Sequence, residues 1–141
     1  LAIDRARLGL SPDAPVGEAS HWLWLERGQA AAGDTVLETV EAFTDRAALI
    51  AWLKARDFAP ETPLLAPGQF LSDADAAAIA AEISLTRTFA YRADLAYYDG
   101  QAGGALGAFK SANDLDGCTL THINADPEGR YALFVARRVG A

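Results

Sequence analysis

With 141 residues, 51% of them apolar and 22% charged, the chain has the length and composition of a folded domain rather than a disordered or fibrous one. A formal net charge of −7 works against nucleic acid, because affinity for a phosphate backbone comes largely from lysines and arginines that displace counterions. The same charge disfavours anionic membrane surfaces, and no apolar run approaches the ~20 residues that a membrane span requires.

Cys118 is the only cysteine, so no internal disulfide can form. A lone thiol fits a reducing compartment, and the expected location is the cytoplasm. The abundance of alanine suggests a GC-rich bacterial coding sequence. Arg137 and Arg138 are the only adjacent basic pair, and they read as a solvated chain end rather than a phosphate-binding patch.

Residues 1–20 read as an N-terminal arm and loop, because Pro12 and Pro15 fix φ and remove backbone donors. Residues 21–141 read as a single α+β domain. His21-Trp22-Leu23-Trp24-Leu25 is dense in aromatic and branched side chains and is expected to be a strand that is apolar on both faces. A glycine-bounded turn, Gly28 to Gly33, separates it from a second strand at 35–40. A helix then starts at Thr44, with Asp45 at the positive end of its dipole and Ala48, Leu49, Trp52 and Leu53 as its buried stripe. Pro60, Pro63 and Pro67 predict an irregular stretch over 57–67. Ser72 caps a second helix whose inner face is Ile79, Ala80 and Ile83.

From Thr86 the hydrophobic period changes to two. Phe89, Tyr91, Ala93, Leu95 and Tyr97 alternate with Thr88, Ala90, Arg92, Asp94 and Ala96, which predicts a strand. Asp99-Gly100 signals a hairpin, and strands are expected at 106–112, 118–124 and 131–138 with turns at 113–117 and 126–129. The expected fold is α+β: ββαα and then a four-strand meander, a mostly antiparallel sheet of about six strands with two helices on one face.

The glycine-rich stretch from Gly100 to Gly107 does not read as a phosphate cradle. Phe109 stands where the second glycine of such a loop belongs, and both flanks read as strands, so a flexible hairpin is expected. Together with Asp126-Pro127-Glu128-Gly129-Arg130 it distantly resembles the middle of the coenzyme A-dependent acetyltransferases. The Gly-x-Gly that this family places after the arginine is missing here, and the next residues, from Tyr131, read as strand. The resemblance therefore implies no coenzyme site.

His21, His122 and Cys118 are too few for a closed zinc site, and a Cys118–His122 pair on one strand is separated by about 13 Å at ~3.3 Å per residue. Asn113-Asp114-Leu115-Asp116-Gly117 has Cys118 where a calcium loop needs an oxygen ligand, so it reads as a turn. No nucleophile elbow occurs, and Cys118 reads as a buried, inert thiol. No metal and no cofactor is expected. If the chain is catalytic, Asp94, Tyr98 and His122 are the candidate residues, with Arg92 on the same strand as Asp94.

Two short helices cannot cover both faces of a sheet of about six strands. The excess of large apolar residues on the first strand makes Trp22 and Trp24 the candidate interface. The expected function is a non-catalytic binding or interaction domain that self-associates, with a homodimer or another protein as partner and room for a small-molecule ligand. The alternative is a small enzyme, an acyl-group transferase or hydrolase, working in a cleft between the sheet and the 57–71 loop.

Overall fold

A computed structural model of the chain describes residues 13, 23–56, 63–92 and 101–140. The rest of the N-terminal arm, Trp22, Asp94 and Tyr98 lie outside the described residues. The elements run β1 (Thr35–Phe43), α1 (Arg46–Ala55), β2 (Pro63–Pro67), α2 (Asp73–Glu82), α3 (Gln101–Ser111), β3 (Thr119–Ala125) and β4 (Tyr131–Arg138). The α+β class holds. The sheet, however, has four strands and is mixed, in the order β1-β4-β3-β2. β4 pairs antiparallel with both β1 and β3, while β2 lies parallel to β3.

Local chemistry explains most of these elements. Asp45, not Thr44, caps α1: its carboxylate accepts a hydrogen bond from the Ala48 N–H at 2.8 Å. Ser72 caps α2 by accepting from the Asp75 N–H at 3.1 Å, and Asp73 and Asp75 sit in the first turn, where the helix dipole favours negative charge. The turns at 113–117 and 126–129 close on Gly117 (φ +79°) and Gly129 (φ +81°), in the left-handed region that glycine enters freely. In the second turn Asp126 accepts hydrogen bonds from the backbone N–H groups of Arg130 and Glu128 and pairs with the Arg130 guanidinium. These contacts, the Arg130 N–H foremost, hold its carboxyl below the usual carboxylate range.

Four expectations are corrected. The 23–25 segment is not a strand; it precedes β1 as exposed, irregular chain. The 57–67 stretch is not wholly irregular, because 63–67 forms the edge strand β2 with its prolines at either end. There the missing donors interrupt no inner ladder. Within the described part of the expected 86–98 strand, one parallel bridge, Leu65 to Thr88, is all that pairs. The hairpin and strand expected across 100–112 are instead the helix α3. Ala105, Leu106 and Phe109 fall on one helical face and are buried, and that burial outweighs the poor helix propensity of the glycines in this segment.

The helices therefore do not share one face. α1 and α2 bring Leu49, Leu53, Ala76 and Ile79 onto Leu65, Ile123, Leu133 and Val135. α3 lies on the opposite side, where Ala105, Leu106 and Phe109 meet Leu64, Ala66, Leu120 and Ala136. β3 is buried on both faces from Thr119 to Ile123, as the inner strand of a sandwiched sheet must be. A third helix supplies the cover that two could not.

Candidate functional site

β3 alternates its side chains between the two cores. Thr121 and Ile123 face α1 and α2, and Leu120 and His122 face α3. His122 is 2% exposed. Its ring stacks on Phe134 of the neighbouring strand, with centroids 4.8 Å apart and planes 9° apart. Its Nε2 lies 2.7 Å from the Tyr91 Oη. Burial, and secondarily the nearby Arg92 cation, push the imidazole pKa down to about 4, so the ring is neutral at pH 7. A neutral ring bonded to a phenol satisfies two buried polar groups at once. Of the three candidate catalytic residues, His122 alone is described, and it is sealed from solvent.

Arg92, adjacent to Tyr91, is an anchor. Its Nη1 donates to the carbonyl oxygens of Gly68 (2.8 Å) and Leu71 (2.7 Å), and its Nη2 meets Asp73 Oδ1 at 2.5 Å. One guanidinium thus ties the chain after β2 to the first turn of α2. Beside it runs a cleft of about 420 Å³, walled by Leu65 and Pro67 on the sheet, Ala76 and Ala80 on α2, and Phe89 and Arg92 on the returning chain. A second cleft of about 490 Å³ lies at the C-terminal ends of β1 and β3, between Phe43, Phe70, Tyr131 and the Asp126–Arg130 turn. His122 lines neither.

Gly68 fits against Asn124 so closely that a Cβ added there would lie 2.5 Å from the amide side chain. Asn124 Oδ1 in turn accepts from the Phe70 N–H (3.0 Å) and the Ala125 N–H (3.1 Å), fixing the loop that leads to α2. The Asn124 side chain and the Gly68 backbone thus set the mouth between sheet and loop.

The most exposed large apolar side chains are elsewhere. Trp24 is 91% exposed and Val40, on β1, 67% exposed, with Leu23 and Leu25 also in water. β1 is the last strand on its side, so its outer backbone edge has no strand partner among the described residues. Arg137 and Arg138 are not a solvated end. Arg137 pairs with Glu38 at 2.9 Å, and Glu38 also holds Arg56, which lies over the Trp52 ring. Arg138 pairs with Asp116 and donates to the Ala112 carbonyl at the end of α3, where a cation complements the helix dipole. Both charges are committed within the fold.

Among the described residues no group of three or more His, Cys, Asp or Glu side chains is placed to hold a metal ion, and no helix is long and apolar enough to cross a membrane. Cys118 is buried in the α3-side core. The Tyr91–His122 pair and the Gly68–Asn124 fit have no local sequence signal, since each joins residues far apart in the chain. No protein-family model, curated protein or solved structure matches the chain.

Proposed function

We propose that the chain is a non-catalytic interaction domain that self-associates, using the segment around Trp24 together with the outer edge of β1. One observation carries this reading: an indole left 91% in water, eleven residues ahead of an open edge strand that bears the exposed Val40. Burying about 200 Å² of such surface is worth roughly 5 kcal/mol at 25 cal/mol per Å², which about offsets the low end of the entropic cost of association, so the net affinity of a dimer rests on Leu23, Leu25, Val40 and the strand edge as well. The sheet faces are no longer the binding surface, because helices lie on both. A second copy offers the same apolar segment, so a two-fold contact needs no other protein. The buried lone thiol is compatible with a cytoplasmic setting.

Light scattering on the eluting chain tests this. The mass should rise from 14.9 kDa towards twice that value as concentration increases from the micromolar range. A constant 14.9 kDa would rule the reading out.

The enzyme reading has one observation in its favour, the cleft beside Arg92, which lies between β2, α2 and the 88–92 segment. Thermal-shift screening against coenzyme A, nucleotides and divalent metals tests it; a ligand-induced rise in melting temperature abolished by Arg92→Ala would support an acyl-group transferase or hydrolase there.

A further inference from the structure

We propose that the Tyr91–His122 contact is an acid-operated latch: protonation of His122 frees the 87–92 segment from the edge of β2 and opens the cleft that this segment walls. Two backbone hydrogen bonds tie the segment to β2, and the Arg92 side chain ties its end to Gly68, Leu71 and Asp73. Leu65 N–H donates to the Arg87 carbonyl at 2.9 Å and Phe89 N–H to the Leu65 carbonyl at 2.8 Å, around a single bridge. β3, which carries His122, is instead paired on both sides from Thr119 to Ile123. A second proton on the imidazole makes both ring nitrogens donors and leaves a charge that needs water or a carboxylate.

Neither is at hand in the described structure. β2 has no ionisable residue and contributes Ala66, and β4 contributes the Phe134 ring. The two arginines of β4 are engaged elsewhere, Arg137 with Glu38 and Arg138 with Asp116. α3 contributes Phe109 to the same core, and its one charged residue, Lys110, is exposed. Along β3 the same core holds the Cys118 thiol. The returning chain brings the Tyr91 phenol and the Arg92 cation, and the cation opposes a second positive charge. Peeling 87–92 away hydrates the imidazolium at the loss of the two backbone hydrogen bonds and of the Arg92 contacts to Gly68, Leu71 and Asp73. Any route through β3 breaks the centre of the sheet.

Amide hydrogen exchange on the full chain tests the latch. A ring that protonates freely only in the open form raises the opening constant about 30-fold between pH 7.5 and pH 5. The Phe89 and Leu65 amides should show that rise, after correction for the intrinsic rate, while exchanging well ahead of the β3–β4 amides. His122→Gln should abolish the rise. If Phe89 opens equally at both pH values, exchanges only together with β3 and β4, or keeps its pH dependence in His122→Gln, the latch is wrong. Should His122→Gln fail to fold, Tyr91→Phe decides: at pH 7.5 it should speed Phe89 exchange at least tenfold with β3–β4 unaltered, and unchanged exchange there overturns the proposal.

Discussion

The two faces of the sheet are built from different chemistry. Against α1 and α2 the core is mainly aliphatic, with Leu49, Leu53, Ile79, Ile123, Leu133 and Val135. Against α3 it combines aromatic rings with ionisable groups: Phe109, Phe134, Tyr91, His122 and Cys118. An aliphatic face responds to changes of volume alone. The α3 face responds to volume and to protons, and so it couples the stability of the fold to pH. The exception on the first face is Thr121, whose fully buried hydroxyl finds no hydrogen-bond partner among the described residues.

The largest expected effect breaks the α3 face. Phe109→Ala should destabilise the chain by about 4 kcal/mol, slightly more than the ~3 kcal/mol of Leu49→Ala, because each removes a fully buried side chain. Urea unfolding measures both. A loss below about 1.5 kcal/mol for Phe109→Ala would mean that α3 is loosely docked rather than part of the core.

Titration separates the faces next. The His122 pKa is depressed from 6.5 to about 4 in the folded chain. Below pH 6.5 the unfolded chain takes up a proton that the folded chain refuses, so stability falls as pH drops from 6.5 to 4 and levels off beneath that. The full loss is about 3 kcal/mol, from ~1.4 kcal/mol per pKa unit. Leu49→Ala should keep this slope and His122→Gln should remove it.

A smaller effect lies at the mouth of the sheet. Gly68→Ala forces its methyl group onto Asn124 and should lower stability by about 2 kcal/mol. Combined with Asn124→Gly, the loss should be smaller than the sum by at least about 1 kcal/mol, the mark of direct contact.

Much of the fold was legible in the sequence, and the failures have physical causes. β1, β3 and β4 follow from branched and aromatic runs bounded by glycine turns, and α1 and α2 from capping residues followed by apolar stripes. α3 was misread because Gly103, Gly104 and Gly107 resemble a hairpin, while the spacing of Ala105 and Phe109 is equally a helix turn. The alternation after Thr88 resembles a strand, but at Thr88 the chain makes only one bridge to Leu65. β2 was hidden by its terminal prolines, and parallel pairing carries no local signal. At the candidate site, His122 was identifiable as a rare titratable group. Its partner was not, because Tyr91 lies 31 residues away and only the sheet order brings the two together. Trp24 drew notice as part of an aromatic strand, whereas its exposure arises because 23–25 joins no sheet.

Self-association through the Trp24 segment is tested most directly by sedimentation equilibrium of the native chain beside Trp24→Ala. Because the indole is exposed, the substitution should leave the melting temperature of the protomer within about a degree, yet weaken the dimer at least tenfold. Identical association of the two chains, or no association of either, would contradict the proposal.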